Sequence, residues 1–193
     1  MKYDETNLDS LYIQNKYYKV YKTTPILQYS IILSDEVGDE GFEYADLIHI
    51  LQDAVGENDL VSIILNNIGG SLASGISLIN AIKTCRAQVD IFVTGECCSM
   101  AAILALSGNS LTMEENTQLM FHNFSSSSYG KANDMEASIK AGTRHYKHLL
   151  ESICMPFLTP ADIADLVKGE DKYFDSWDPK VQARIRKHYG NEV

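Results

Sequence analysis

Short apolar runs alternate along this chain with segments whose apolar residues recur at helical spacing, and this alternation limits the fold more than any other feature. Residues 61–65 and 89–94 are short and rich in β-branched residues, which is typical of buried strands. Between them, residues 71–85 carry an apolar stripe at helical spacing, with Ser71 where an N-cap is expected. The stripe consists of Leu72, Ile76, Ile79 and Ile82. Such alternation predicts an α/β domain with a largely parallel sheet.

The same pattern predicts the remaining elements. Strands are expected at residues 26–33, 111–113 and 119–121, and helices at 42–55, 99–106, 133–153 and 161–168, the last beginning after Thr159-Pro160. The longest helix is predicted to project and to pair with another subunit, because it has one heptad-like stripe formed by Met135, Ile139, Gly142, Tyr146, Leu149 and Ile153. A length of 193 residues suits a single domain. We predict an N-terminal arm or edge strand at 1–24 and one domain at 25–193.

The charge balance excludes some classes of partner. With 16 basic and 26 acidic residues the net charge is −10, which argues against nucleic acid and disfavours an anionic membrane surface. No apolar run approaches the roughly 20 residues that span a bilayer. Residues 1–7 are polar and unlike a signal peptide, so a cytoplasmic protein is expected. The cysteines lack ligand-like spacing and are interpreted as reduced, buried thiols: Cys85, Cys97, Cys98 and Cys154.

Four features along the chain suit the parts of a serine peptidase. Gly69-Gly70 closes an apolar strand, and Ser99 lies where a second strand gives way to a helix of small residues. His122 ends a third strand, and Asp171 lies in a polar loop. A serine hydroxyl needs a base within hydrogen-bond reach, and histidine suits that task because its reference pKa is about 6.5. A carboxylate then orients the imidazole and stabilises the imidazolium.

The oxyanion of the transition state needs preorganised backbone N–H groups. Glycine allows a close backbone approach, and Ser99 at a helix start adds the free N–H of Met100. Gly70 N–H and Met100 N–H are therefore the predicted oxyanion donors. Each feature alone has a simpler interpretation, since Ser99 could be an N-cap, Gly69-Gly70 a turn and Asp171 an ordinary loop residue.

Four segments carry a resemblance to the ClpP-type serine peptidases, over roughly residues 26–174. Asn66-Asn-Ile-Gly-Gly-Ser71 is similar to the family's Asn-Ser-Pro-Gly-Gly segment, and Gly95-Glu-Cys-Cys-Ser-Met-Ala-Ala102 to its nucleophile segment Gly-Gln-Ala-Ala-Ser-Met-Gly/Ala-Ala. Met120-Phe-His-Asn-Phe124 resembles Met-Ile-His-Gln-Pro, and Glu170-Asp-Lys-Tyr-Phe174 fits the place of the family's acid. The resemblance implies that Ser99 is the nucleophile, His122 the base and Asp171 the acid, with Gly70 and Met100 forming the oxyanion hole.

The resemblance also implies the crotonase-like fold, a spiral of ββα units. Two stacked homo-oligomeric rings, heptameric in the family, would enclose the sites, and the long helix would join the rings. A peptide or unfolded protein would be bound by strand addition, between the stretch from Gly69 through Ser71 to Leu72 and the backbone at Asn123 and Phe124.

Several departures from the family pattern bear on partners. Ile68 replaces the usual proline, and the segment after His122 lacks the family's Pro and Gly-Gly. Residues 1–24 show no recognisable axial loop, and the Gly-Leu-Ile/Val-Asp sequence near the carboxyl end is absent. These regions help the family dock an ATP-driven unfoldase, so a Clp-type ATPase partner stays open. The departures suggest a divergent, phage-borne member.

Other interpretations remain open at this point. One is a non-proteolytic, ring-forming pseudo-peptidase or assembly protein, and another is a Ser/Lys dyad of the signal-peptide-peptidase-A type, with Lys131 or Lys140 as base. A crotonase-type acyl-CoA enzyme would leave the predicted triad without a joint role. No cofactor is predicted, because the chain has no phosphate-binding glycine loop followed by Lys and Ser/Thr. His145, His148 and Glu151 share a helical face but lack a fourth ligand, so a solvated face is favoured over a metal site.

Overall fold

The computed structural model of the chain describes residues 10–14, 17–23, 28–38, 44–54, 58–127 and 129–190. Its strands are β1 Ser10–Gln14, β2 Tyr18–Thr23, β3 Gln28–Val37, β4 Leu60–Gly70, β5 Gln88–Cys98, β6 Ser110–Met113, β7 Gln118–Phe121 and β8 Lys172–Asp175. Its α-helices are α1 Ala45–Asp53, α2 Leu72–Thr84, α3 Met100–Ala105, α4 Ala132–Leu149, α5 Pro160–Lys168 and α6 Pro179–His188.

The strands form one mixed sheet with the order β1-β2-β3-β4-β5-β7-β8. Strands β3, β4 and β5 are parallel neighbours, and β5 pairs in parallel with β6 along its first half and with β7 near its end. The pairings of β1 with β2 and of β2 with β3, at one side of the sheet, are antiparallel. The pairing of β7 with β8, at the other side, is also antiparallel. The predicted α/β class with a largely parallel sheet is confirmed.

The central strands bury alternate side chains, as a sheet covered on one face by helices requires. In β4, Val61, Ile63 and Leu65 are buried, and their neighbours on the other face are half-buried. Helix α3 is buried along its whole length, and its alanines let it lie close beneath β4 and β5. The buried helix α3 therefore packs against the parallel strands β4 and β5.

Two helix starts follow their sequence signals. Ser71 caps α2 by accepting a hydrogen bond from the Ser74 amide, as predicted. Thr159 and Asp162 form a capping box at the start of α5, with Pro160 in the first turn, which confirms the predicted start at Thr159-Pro160.

The long helix predicted at 133–153 is α4, which continues as a π-helical turn over Leu150–Cys154. Tyr146 and Leu149, near its C-terminal end, are buried in the core. The N-terminal part is exposed, and Ile139 from the apolar stripe keeps 51% of its surface accessible. The helix thus leaves the domain with part of its apolar stripe uncovered.

Some elements differ from the sequence expectations. In the region predicted as an arm or edge strand, β1 and β2 form a hairpin that pairs with β3, while residues 1–9, 15–16 and 24 lie outside the described residues. The strand predicted at 26–33 is observed as Gln28–Val37 and the helix at 42–55 as Ala45–Asp53, with 26–27, 42–43 and 55 also outside. Strand β8 and helix α6 were not predicted. Strand β8 alternates only weakly between buried and accessible side chains, and it pairs with β7.

In the part of the chain that the structure describes, no helix combines the length and the apolar character needed to cross a membrane.

Candidate active site

A cleft of about 940 Å³ opens at the carboxyl ends of the parallel strands. This is the edge of an open α/β sheet where ligands are usually bound, because several loops leave the sheet there together. Eight of the ten predicted site residues line it: Gly69, Gly70, Ser71, Leu72, Ser99, Met100, His122 and Phe124. The other two, Asn123 and Asp171, are not among the lining residues.

Ser99 occupies a strained turn between β5 and α3. Its φ is 55° and its ψ is −121°, a backbone conformation that costs free energy for any residue other than glycine. The turn is held by a hydrogen bond from Ser99 N–H to the carbonyl of Met120 at 2.7 Å. Although Ser99 is at the N-cap position, its side chain makes no capping hydrogen bond. The hydroxyl is therefore not used in helix capping.

Gly69 makes the backbone of β4 approach Ser99 closely. Its φ is +93°, and a Cβ at this position would lie 2.8 Å from Ser99 Cβ and 3.0 Å from Met100 N. Only glycine fits both the conformation and the space. The buried Asn67 side chain holds this turn by accepting a hydrogen bond from Gly69 N–H at 2.8 Å. Sequence reasoning gave Asn67 no role, although it is part of the glycine-containing segment.

His122 directly follows the last residue of β7, and its side chain is half-buried at the cleft. Its carbonyl accepts a hydrogen bond from the Tyr146 hydroxyl at 2.5 Å. Among the described residues, no hydrogen bond or ion pair joins the imidazole to Ser99 or Asp171.

Asp171 lies immediately before β8 and is exposed. The antiparallel register pairs Phe121 with Lys172 as its last pair. Continuing that register by one residue sets Asp171 opposite His122. The fold therefore brings the predicted base and the predicted acid to the same end of the same strand pair.

Asn123 and Phe124 follow His122 but have different surroundings. The Asn123 amide donates to the carbonyl of Val167 at 3.3 Å, and its Oδ1 accepts from Phe124 N–H at 3.0 Å. The Phe124 ring packs against Tyr146, with a centroid separation of 5.6 Å. Asn123 thus ties this segment to α5, and Phe124 ties it to α4.

Sequence reasoning missed several residues at the cleft. Asp35 and Glu36 contribute from β3, Tyr17 from the position immediately before β2, and Tyr146 from α4. Asp35 and Glu36 lie within two residues of the end of β3, at the same edge of the sheet as Gly69 and Ser99. The rule that ligands bind where parallel strands end could therefore have indicated them. Among the described residues that line the cleft, these two carry the carboxylates, and none is a lysine or an arginine.

The thiols near the site are free, as are the other two cysteines. Cys97 is fully buried, and burial, with a smaller effect of Cys98, raises the pKa of its thiol. No group of three or more potential metal-ligating side chains occurs within the described ranges. His145 and His148 are exposed on α4, and Glu151 forms an ion pair with Lys147 at 3.7 Å.

Comparison with known proteins identifies a family whose model matches most of the chain. A model of the Clp protease family matches residues 14–160. The chloroplastic ATP-dependent Clp protease proteolytic subunit 3 of Arabidopsis thaliana is 24% identical over 157 residues, which cover 80% of this chain and 51% of that protein. The chain therefore spans about half the length of this curated relative.

Proposed function

Because the chain belongs to the Clp protease family and has its crotonase-like fold, we propose that it is a serine endopeptidase that cleaves peptides or unfolded proteins. The observation that carries the proposal is the position of Ser99. It lies on a strained strand-to-helix turn, with a hydroxyl free of capping bonds, in one cleft with His122 and the glycine pair. Backbone strain of this kind is typical of functional sites.

In the proposed mechanism, Ser99 Oγ attacks the carbonyl carbon of the substrate and His122 takes the hydroxyl proton. The imidazolium then returns that proton to the leaving amine, and an acyl-enzyme ester remains on Ser99. Water, activated by His122, hydrolyses the ester and restores the serine. Asp171 would orient the ring and stabilise its charged form, and the β7–β8 register supports this assignment. Hydrogen bonds of this kind often tighten only when substrate is bound.

The proposed oxyanion donors are the N–H groups of Gly70 and Met100. Met100 begins α3, so its N–H has no acceptor within the helix. The missing side chain of Gly69 leaves space beside that N–H, since a Cβ there would be 3.0 Å away from it. A developing negative charge at this point would be stabilised without reorganisation of the protein.

Substrate would be bound as an added strand between the segment Gly69-Gly70-Ser71-Leu72 and residues 122–127, which belong to no helix or strand. Ser71 N–H is already bonded to the Val37 carbonyl at 2.8 Å, so the substrate would meet other backbone groups of this segment. Asn123 would contribute by holding the second segment in place, and Phe124 by contacting an apolar side chain of the substrate.

Assembly into two stacked rings of identical subunits is part of the proposal. The exposed N-terminal part of α4 supports it, because Ile139 presents an apolar side chain on a helix that leaves the domain. A Clp-type ATPase as a partner is a further proposal. It is motivated by the printed name of the Arabidopsis relative, which describes an ATP-dependent protease subunit.

A second function is a non-proteolytic assembly protein of the same fold. It is favoured by one observation, namely that no hydrogen bond joins Ser99, His122 and Asp171 within the described residues. The two functions differ in whether Ser99 can be acylated.

A fluorophosphonate probe, which reacts only with activated serines, separates these functions. We expect it to label the assembled protein at Ser99, and labelling to be lost in Ser99→Ala and in His122→Ala. Ser138→Ala is the matched control, because Ser138 lines the same cleft from α4 and has no proposed role. No labelling of the assembled wild-type protein would reject the peptidase in favour of the assembly protein.

The same assay tests the lysine alternatives. Lys140 is exposed and forms an ion pair with Glu136 at 2.6 Å, and neither Lys131 nor Lys140 lines the cleft. We therefore expect Lys131→Ala and Lys140→Ala to be labelled at the wild-type rate. Loss of labelling in one of them, with labelling retained in His122→Ala, would indicate a Ser/Lys dyad instead.

A further inference from the structure

The carbonyl of His122 is held by a side chain from a distant helix. Tyr146 on α4 donates its hydroxyl hydrogen to this oxygen at 2.5 Å, across 24 residues of sequence. The β7–β8 ladder has its last pair at Phe121 and Lys172, so the His122 carbonyl lies beyond the end of the ladder. Tyr146 therefore provides a hydrogen bond to the first backbone carbonyl that lies beyond the β7–β8 pairing.

The same part of α4 packs against the residue two positions after His122. The rings of Tyr146 and Phe124 are 5.6 Å apart and inclined by 50°. Gly142, one helical turn before Tyr146, leaves room for the Phe124 ring, because a Cβ at 142 would be 3.1 Å from two of its carbons. Segment 122–124 is thus attached to α4 by a hydrogen bond and by ring packing.

The phenol of Tyr146 is suited to act as a permanent donor. Only 4% of the residue is accessible, and burial, with a smaller effect of Cys154, raises the pKa of its hydroxyl. A raised pKa keeps the proton on the oxygen, so the hydrogen bond does not depend on pH in the range where a histidine base works.

We infer that Tyr146 is a positioning residue for His122: its hydroxyl holds the His122 carbonyl and thereby fixes the place of the imidazole relative to Ser99. The inference rests on the proposed peptidase function. The expected effect of losing this hydrogen bond on the rate follows from the sensitivity of catalysis to geometry. A displacement of about 1 Å lowers the rate roughly a hundredfold. Without the bond, the backbone beyond β7 would be held only by the Asn123 contact with Val167 and by the packing of the Phe124 ring, so we expect the His122 backbone to shift by up to about that distance.

Tyr189 provides a matched control. It also donates its hydroxyl hydrogen to a backbone carbonyl, that of Ala105 at 3.3 Å, and burial raises the pKa of its hydroxyl as well. It follows α6 and does not line the cleft. Tyr189→Phe therefore removes a hydrogen bond of the same donor and acceptor type, though a longer one, without touching segment 122–124.

The experiment compares Tyr146→Phe with Tyr189→Phe in the assembled protein. We expect Tyr146→Phe to lower kcat for a fluorogenic peptide by about ten- to a hundredfold with KM unchanged within about twofold. We expect Tyr189→Phe to keep the wild-type kcat, and each variant to lose at most a few degrees of Tm. An unchanged kcat in Tyr146→Phe, or equal losses of kcat in both variants, would overturn the inference.

Hydrogen–deuterium exchange gives a readout that does not depend on activity. Peptides that cover residues 122–127 should exchange faster in Tyr146→Phe and at the wild-type rate in Tyr189→Phe. Unchanged exchange in Tyr146→Phe would also overturn the inference. An inactive wild-type protein would instead count against the peptidase function, so the two failures are distinguishable.

Discussion

Replacing Gly69 by alanine tests the close approach of β4 to Ser99. The added Cβ would lie 2.5 Å from the Cys98 carbonyl oxygen, 2.8 Å from Ser99 Cβ and 3.0 Å from Met100 N. These are backbone or Cβ atoms, so no flexible side chain can move aside. The strand or the Ser99 turn must shift.

The expected loss in the free energy of unfolding of Gly69→Ala has two parts. The positive φ of +93° costs an alanine about 1–2 kcal/mol, and the contacts add about 1–3 kcal/mol of overpacking. The sum of about 2–5 kcal/mol corresponds to a fall in Tm of about 4–20 °C for a chain of this size.

A substitution at Gly169 measures the conformational part alone. Its φ is +101°, and a Cβ there would meet nothing within 4 Å. Gly169→Ala should therefore show only the conformational part, a fall of about 2–8 °C. The difference between the variants measures the contact beside Ser99.

Calorimetry at one fixed protein concentration gives the stability comparison, because Tm depends on concentration wherever subunits associate. The rate of fluorophosphonate labelling should fall by roughly a hundredfold in Gly69→Ala, because the displaced atoms belong to Ser99 and its oxyanion donor. Gly190→Ala, with φ +71° and open space, should be labelled at the wild-type rate. The reasoning is refuted if Gly69→Ala melts within a degree of Gly169→Ala and is labelled like wild type.

Two further predictions follow from titratable groups. Burial of Asp162 acts to raise the pKa of its carboxyl, but hydrogen bonds from Arg184, at 2.6 Å, and from Thr159 outweigh it and lower that pKa. Because the pKa of Asp162 is lower in the folded state, its ionised carboxylate stabilises the protein at pH values above the unfolded-state pKa of about 3.9. This contribution is lost as the pH falls from that value through the lower folded-state pKa. In urea titrations, the loss of stability in Arg184→Gln should thus be larger at pH 7 than at pH 3, and an equal loss at both would contradict this origin. For the thiols, iodoacetamide at pH 8 should alkylate the half-buried Cys98 of the native protein much faster than the fully buried Cys97, as measured by mass spectrometry. Equal rates before unfolding would show that Cys97 is accessible.

Eight of the residues that line the cleft could be predicted because they belong to local features of the chain. The glycine pair, Ser99 and His122 each stand at the end of an apolar run, and in a parallel sheet such ends meet at one edge. Asp35 and Glu36 obey the same rule and could have been found with it. Tyr17 could not, because its place depends on the pairing of an N-terminal hairpin that no sequence period indicates.

Tyr146 shows a different limit. The heptad-like stripe correctly marked it as a residue of a packing face, since it is buried near the end of α4. The pattern contains no information about its hydroxyl, whose acceptor is a carbonyl in another element. Side-chain period reports which face is buried, and it does not report which polar atom a buried hydroxyl will meet.

By itself the sequence determined the class of fold, the starts of α2 and α5 and the segments that carry the serine, the histidine and the glycines, because helical and strand periods, caps and glycine turns depend on neighbouring residues. The tertiary structure alone decided the strand order, the pairing of β7 with β8 that sets Asp171 opposite His122, and the bond from Tyr146 to the His122 carbonyl. The Tyr146 bond spans 24 positions of sequence, and the β7–β8 pairs join residues 51 to 57 positions apart. Whether such distant segments meet depends on the packing of the whole core against the entropy of closing the loops between them.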